Sequence, residues 1–145
     1  MRLFLCILST LFFIHSCAPS ENIHCNMNIS IMDKDIYLKR LNWGVNGNSR
    51  LFVISTNNEK LKNINDYDMD KEYVFKGDIP IYIRTYEDTL IVYTYMMTKP
   101  PAIFESNIIV KQVEITNREN MLFIDNPSYI NINKLCEGDI PGQVP

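Results

Sequence analysis

Hydrophobic and polar residues alternate along much of the chain, which is the pattern that half-buried β-strands produce. In the run GDIPIYIRT, Ile81 and Ile83 fall on one face, while Tyr82 and Arg84 fall on the other. Successive side chains of a strand point to opposite faces of its sheet. We therefore expect the isoleucines to face the core and the tyrosine and arginine to face away from it.

The next run, DTLIVYTY, alternates in the same way. Leu90 and Val92 share one face, and Tyr93 and Tyr95 share the other. Only residues 85–88 separate this run from the preceding one, which is a spacing typical of hairpin loops. The two runs are predicted to form an antiparallel hairpin with its tyrosines on one side.

Other short runs with strand-like composition follow one another along the chain, with clusters of Gly, Pro, Asn and Ser between them. Only residues 57–66 have room for a helical turn or two. This spacing predicts an all-β fold, a single small antiparallel β-sandwich or small barrel over residues 27–136. The additional predicted strands are 35–41, 50–55, 72–75, 107–116, 121–124 and 129–132.

The amino-terminal segment differs from the rest of the chain in being almost wholly apolar. After Arg2, residues 3–14 read LFLCILSTLFFI. Twelve such residues are too few for a membrane-spanning helix, which needs roughly 17–25, but they fit the core of a secretory signal. We interpret residues 1–16 as a signal peptide, with a buried amino-terminal helix as the alternative.

The four residues that end this segment, Ile14-His15-Ser16-Cys17, resemble the lipobox of bacterial lipoproteins. Ile14 stands where leucine is commonest, and His15 is larger than usual, so secretion with an unmodified Cys17 stays open as an alternative. The resemblance implies cleavage before Cys17, a diacylglyceryl thioether on its sulfur and an acylated, typically palmitoylated, amino terminus. Two or more acyl chains hold a protein stably at a membrane.

The lipoprotein interpretation divides the chain into four parts: a signal peptide at 1–16, the lipidated cysteine and its tether at 17–26, the sandwich at 27–136 and a loose tail at 137–145. The run PIYIRTYEDTLIVYTY also resembles the central hairpin of small uncharacterised envelope lipoproteins. That resemblance implies a β-rich domain without an assigned activity. The two resemblances together imply a protein of the bacterial envelope, with the outer membrane as the expected location.

The charge of the chain argues against one class of partner. The full sequence has a net charge of −3, with 14 basic and 17 acidic residues and no long block of either sign. Proteins that bind nucleic acids carry a clustered basic face. A nucleic-acid partner is therefore not expected.

The cysteines suggest a covalent link between the two ends of the domain. If the signal is removed and Cys17 carries lipid, Cys25 and Cys136 remain. In an oxidising compartment such a pair is predicted to form a disulfide, which across a loop of about 110 residues would stabilise the fold by roughly 4–5 kcal/mol. Two thiols, or a bond between two chains, are the alternatives. Without a C-x-x-C pair, a zinc ribbon is not expected.

An acidic run raises the question of calcium. Asp66, Asp68 and Asp70 alternate with other residues, so their carboxylates could converge on Ca²⁺. However, a calcium loop beginning at Asp66 needs glycine at its sixth position and glutamate at its twelfth, where Lys71 and Gly77 stand. The favoured interpretation is a solvated acidic loop, and a calcium site is the alternative.

Aromatic residues and arginine are the candidates for partner binding, because both are enriched at recognition surfaces. The predicted set, for a protein or glycan partner, is Trp43, Tyr82, Arg84, Tyr93 and Tyr95. The alternative for the tyrosines is aromatic pairing inside a second layer of the sandwich. Trp43 could equally be a core residue beside a turn.

No catalytic motif stands out. The chain has no G-x-S-x-G elbow, and His24 is the sole histidine left after cleavage. We expect no enzyme activity and no cofactor, and interpret the protein as a lipid-anchored binding or structural module. The alternative is an inhibitor or immunity-type protein that blocks an enzyme with a protruding loop, either 98–102 (TKPPA) or 43–49. An enzyme with a carboxylate cleft near Asp66–Glu72 is a third hypothesis.

Overall fold

The computed structural model describes residues 23–43 and 49–134. Two four-stranded sheets are present, which confirms the predicted all-β sandwich rather than a closed barrel. Sheet A is an antiparallel meander in which each strand pairs with the next along the chain. Its strands are β1 (Ile23–Ile31), β2 (Lys34–Trp43), β3 (Ser49–Ser55) and β4 (Tyr73–Lys76).

Sheet B has the strand order β7-β6-β5-β8 and one pairing that was not predicted. Its strands are β5 (Ile81–Tyr86), β6 (Thr89–Thr94), β7 (Ile109–Glu114) and β8 (Ile130–Asn131). The β5–β6 hairpin is confirmed, whereas β7 lies parallel to β6. A parallel neighbour requires a long crossover, and residues 95–108 supply it without a helix. The prediction of a purely antiparallel fold was therefore wrong at this edge.

The core lies between the two sheets and follows the predicted alternation. Ile81, Ile83, Leu90 and Val92 of sheet B are at most 3 % exposed. They pack against apolar side chains of sheet A that are also buried, namely Ile36, Leu38, Phe52, Ile54 and Phe75. The isoleucine, leucine and valine faces of the hairpin thus point inward, as the sequence indicates.

A buried arginine joins the two sheets through this core. Arg40 of β2 is 5 % exposed. Its guanidinium donates hydrogen bonds to Asn42 Oδ1 at 3.0 Å and to the carbonyl oxygens of Ile132 and Asn133. Those carbonyls belong to the 3₁₀ turn Ile132–Lys134, which directly follows β8. A side chain of sheet A therefore holds the turn that follows β8, the last strand of sheet B.

The expected strand 121–124 is instead part of a helix, α1 (Asn117–Phe123). Thr116 caps it: its hydroxyl accepts from the Glu119 backbone N–H, and the Glu119 carboxylate accepts from the Thr116 N–H at 2.7 Å. This reciprocal pair is a capping box, which the sequence TNRE encodes. Residues 57–66, where the sequence left room for a helical turn, contain no helix: residues 56–72 form turns, bends and irregular backbone.

β1 begins at Ile23, so part of the range 17–26 that was predicted as a tether belongs to sheet A. Cys25, Met27, Ile29 and Ile31 alternate with polar residues and pack on the core, while β1 pairs with β2 over its whole length. That alternation is present in the sequence and was missed. The predicted signal peptide (1–16), Cys17 and the carboxyl-terminal tail (137–145) lie outside the described residues.

The hairpin turns place non-glycine residues in the left-handed region of backbone space. Met32 and Asp33, between β1 and β2, have φ angles of 47° and 60°. Positive φ at both central residues is the type I′ geometry whose twist matches that of paired strands. Glu87, in the β5–β6 turn, has a φ angle of 51°. The twist of the paired strands, rather than glycine content, accounts for these turns.

Candidate binding surfaces

Four aromatic rings form a cluster on the outer face of sheet B. Tyr82 and Tyr93 are opposite each other on β5 and β6. The ring of Phe123, at the end of α1, makes edge contacts with both, at centroid distances of 5.7 and 5.2 Å. Tyr129 stacks on Phe123 at 4.2 Å and contacts Tyr93 at 5.3 Å. The structure therefore agrees with the alternative interpretation, in which the tyrosines pair inside a second layer. The helix α1 forms that layer.

The side chain of Tyr82 is buried by this packing and is not part of the protein surface. It is 1 % exposed, and its hydroxyl donates to Asn120 Oδ1 of α1 at 2.6 Å. Burial raises the pKa of Tyr82, with smaller contributions from Tyr95 and Asp125. The prediction that Tyr82 contacts a partner is therefore corrected: an internal helix already covers the ring.

Burial, together with the neighbouring Tyr129, also raises the pKa of Tyr93, and Arg84 partly opposes this. Tyr93 and Tyr95 are half-buried, whereas Arg84 is exposed and its guanidinium lies 6.0 Å from the Tyr129 ring centroid. Tyr93 is therefore a half-buried member of the cluster, and Arg84 and Tyr95 stay near the surface.

Trp43 lies on a different part of the molecule from the tyrosines. It is half-buried on the outer face of sheet A, where it packs on the apolar cluster that includes Leu41, Leu51, Val53 and Val74. The structure thus divides the predicted binding set between two faces. For Trp43 the packing alternative describes its position better than an exposed anchor does.

Apolar side chains that sequence reasoning did not select are exposed on the α1 side of sheet B. Met121 and Leu122 of α1 are 77 % and 64 % exposed, because Asn120 and Phe123 occupy the side of the helix that meets the sheet. Tyr86 and Ile109 lie in one cross-strand row with Thr89 and are 61 % and 56 % exposed. We call Tyr86, Ile109, Met121 and Leu122 the sheet B patch.

The crossover 95–108 carries a second group of exposed apolar residues on a pinned backbone. The Gln112 side chain forms two hydrogen bonds to the Thr98 backbone, at 2.7 and 2.8 Å. The Ile103 N–H donates to the Asp70 carbonyl at 2.8 Å. Met96 and Met97, just before the first attachment, and Ile103, at the second, are exposed. The TKPPA stretch is thus held at its first residue by a strand side chain whose role the sequence did not reveal.

The outer face of sheet A is covered by segment 56–72 rather than by a helix. Leu61 inserts into the apolar cluster on that face, and Asn26 of β1 donates a side-chain hydrogen bond to the Asn58 carbonyl at 3.2 Å. Lys39 and Glu72, both buried, form an ion pair at 3.4 Å. The other Glu72 oxygen accepts from the Asp68 N–H at 2.8 Å. Packing of Leu61 and Tyr67 on the apolar cluster, the Lys39–Glu72 ion pair and hydrogen bonds to the backbone therefore hold this cover.

The acidic run lies within this cover, and its carboxylates serve the turns. Asp66 Oδ2 accepts from the Lys62 N–H at 2.8 Å, and Asp68 Oδ1 accepts from the Asp70 N–H at 3.0 Å. The Asp70 carbonyl is used by Ile103. Within 23–43 and 49–134, no group of three or more His, Cys, Asp or Glu side chains is arranged to hold a metal ion. The carboxylates of Asp66 and Asp68 thus have turn-forming roles, and the calcium alternative stays a prediction.

Two further observations concern the predicted disulfide and the predicted membrane anchor. Cys25 is half-buried in β1 and packs against the core, whereas Cys136, its predicted disulfide partner, lies outside the described residues. The disulfide therefore stays a prediction. In the part of the chain that the structure describes, no helix has the length and apolar character needed to cross a membrane.

Comparison with known proteins gives no relative from which a role could be transferred. No family model matches the chain, and neither a curated protein nor a solved structure shows significant similarity to it.

Proposed function

We propose that the protein is a lipid-anchored component of a bacterial envelope and that its sandwich is a non-catalytic binding module for a protein partner. The lipobox-like residues before Cys17 support the anchor. Because β1 begins at Ile23, only residues 18–22 separate that cysteine from the domain. Five residues span at most about 18 Å, so an acylated Cys17 would keep the sandwich close to the membrane surface.

The observation that carries the binding proposal is the sheet B patch. A helix of seven residues normally turns its apolar side chains inward, yet Met121 and Leu122 point away from the sheet they could cover. Clustered apolar side chains on a protein surface typically mark an interaction site, and methionine suits such sites because it adapts its shape. Tyr86 and Ile109 extend the same side of the molecule.

The surroundings of the patch favour a protein partner. Arg84 and Lys111, both exposed, flank Ile91 in the cross-strand row next to that of Tyr86 and Ile109. An apolar centre with tyrosine, methionine and arginine has the composition of a protein–protein interface. The partner that fits it has an apolar patch bordered by carboxylates.

Photocrosslinking tests this surface. A photoreactive phenylalanine analogue at Tyr86 or at Met121, in intact cells that express the protein, should yield an adduct of one shared mass. The matched control position is Lys62, exposed on the sheet A cover. Leu122→Asp should abolish the adducts at Tyr86 and Met121. An equal adduct at Lys62, or none at either patch position, would contradict the proposal.

The inhibitor or immunity-type role is the second candidate, and the pinned crossover favours it. Met96 and Met97 lie between the end of β6 at Thr94 and the attachment of Thr98 to Gln112, so the crossover can present them to a cleft without a large loss of conformational entropy. In that case Met96→Asp, rather than Leu122→Asp, should remove the partner. The two substitutions therefore separate the two roles in one experiment.

A further inference from the structure

A polar cavity of about 410 Å³ lies between sheet A and segment 56–72, on the side of the molecule away from the sheet B patch. Its volume falls within the roughly 300–1,000 Å³ of small-molecule sites. Every residue that lines it has a polar side chain. Such a lining is suited to a ligand that exchanges many hydrogen bonds, rather than to an apolar one.

The floor of the cavity offers hydrogen-bond donors. Lys39 and Ser55 both line it, and they are only 3 % and 1 % exposed. The Lys39 ammonium has three N–H groups, and its single hydrogen bond within the described residues goes to Glu72 Oε1. Ser55 Oγ accepts from the Asn57 N–H at 2.9 Å, which leaves its own proton to donate. A ligand oxygen at the floor would therefore meet N–H and O–H donors.

The rim has the opposite character, because carboxylates dominate it. Glu59, Asp66, Asp68 and Glu105 line the cavity together with only two lysines besides Lys39, namely Lys60 and Lys71. Glu72 is neutralised by Lys39 at the floor. Asp66 and Asp68 each use one oxygen in a turn, and the second oxygen of each can accept from a ligand. This excess of negative charge disfavours an anion and favours groups that donate hydrogen bonds.

We propose that this cavity binds a neutral or amine-bearing saccharide. Sugar hydroxyls both accept and donate, so one molecule can accept from Lys39 and Ser55 at the floor and donate to the rim carboxylates. An amine would add a charge-assisted hydrogen bond to the rim, which is stronger than a neutral one. A sugar carboxylate or phosphate would be repelled there.

Amide chemical shifts of the full-length protein test the proposal. The protein is held in phosphocholine micelles, which contain no sugar, and titrated with glucosamine, glucose and glucuronate. Glucosamine and glucose should shift saturable signals confined to Lys39 and residues 55–72. Glucuronate should bind at least tenfold more weakly than glucosamine.

Variants tie the signal to the site, and the same spectra show whether each variant is folded. Asp66→Asn keeps an acceptor for the Lys62 N–H but removes a rim charge, and should weaken glucosamine at least fivefold. The double variant Lys39→Met/Glu72→Gln removes the Lys39 ammonium from the floor without leaving a buried charge, and should weaken both sugars. Asp125→Asn, on an exposed residue outside the cavity, is the matched control and should change neither.

Absence of saturable shifts, equal binding of glucuronate, or unchanged affinity in folded Asp66→Asn and double variants would each overturn the saccharide site. The outcome does not depend on acylation of Cys17 or on the sheet B patch. Failure here and failure of the proposed function are therefore separate results.

Discussion

The two outer faces of the sandwich are closed by different physical means. Over sheet A, the turn-forming segment 56–72 contributes one buried leucine and holds its position through the Lys39–Glu72 pair. Over sheet B, α1 lays Phe123 across Tyr82 and Tyr93. The first cover uses charge and hydrogen bonds and encloses a polar cavity, whereas the second uses aromatic contact and leaves apolar side chains outside.

The two covers differ in what their contacts contribute: one selects the position of a segment, and the other stabilises the folded state. A buried ion pair contributes little net free energy of folding, because desolvation of both charges offsets their attraction. It does select one position for the segment that carries Glu72. Aromatic burial stabilises directly, by contact and by removal of apolar area from water. The sheet A cover is therefore suited to shaping a site, and the sheet B cover to fixing a helix that presents a surface.

The largest expected effect comes from breaking the ion pair. Lys39→Met or Glu72→Gln alone should lower the free energy of unfolding by about 3 kcal/mol, because each leaves one buried charge without its counter-charge. The double variant should lie within about 1 kcal/mol of the parent. Urea denaturation of the parent, the two single variants and the double variant measures the four free energies of this double-mutant cycle. A double variant as unstable as the sum of the singles would show no coupling between Lys39 and Glu72 and would contradict the role of the pair.

Removal of the aromatic contact should have the next largest effect. Phe123→Ala should cost about 2–3 kcal/mol, somewhat less than the roughly 3–5 kcal/mol of a fully buried phenylalanine, because Phe123 is only half-buried. Met121→Ala on the same helix is the matched control and should change stability by no more than about 0.5 kcal/mol. Equal effects of the two substitutions would contradict the assignment of the two sides of α1.

The capping box of α1 should contribute less. Thr116→Ala should destabilise the protein by about 1 kcal/mol. Hydrogen bonds from Thr116, first from its backbone N–H and then from its hydroxyl, lower the pKa of Glu119. A lowered folded-state pKa gives stability that is present above the unfolded pKa and lost as the pH falls through the folded one. Glu119→Gln should remove this acidic dependence from thermal unfolding curves; a variant that retains it would contradict the role of Glu119.

The smallest effect concerns tyrosine ionisation. Burial raises the pKa values of Tyr82 and Tyr93 on sheet B and of Tyr73 in the core. Stability from these groups is complete below the unfolded tyrosine pKa of about 10 and is lost as the pH rises through the folded values. Titration followed by ultraviolet absorbance should therefore show that some tyrosines ionise at a higher pH than the others. Phe123→Ala should shift the ionisation of part of this group to lower pH. Simultaneous ionisation of all tyrosines would contradict the aromatic cover.

Local alternation predicted which face of each hairpin strand lies between the two sheets, because a period of two is a local property of sequence. Other features were readable but missed: the alternation of β1 and the capping box TNRE, which overrides the strand-like composition of 121–124. The parallel β6–β7 pair and the cavity depend on residues far apart in sequence, such as Lys39 and Glu72. Nothing in a local pattern specifies which distant partner a charge will meet.

The intact mass of the membrane-fraction protein, beside that of a Cys17→Ser variant, tests the envelope proposal most directly. A chain that begins at Cys17 and carries acyl groups, both features lost in the variant, is the predicted result. A rise of about 2 Da on reduction would in addition place Cys25 and Cys136 in one bridge, since reducing a disulfide adds two hydrogens. An unacylated chain recovered in the soluble fraction would contradict the anchor and redirect the search for partners to secreted proteins.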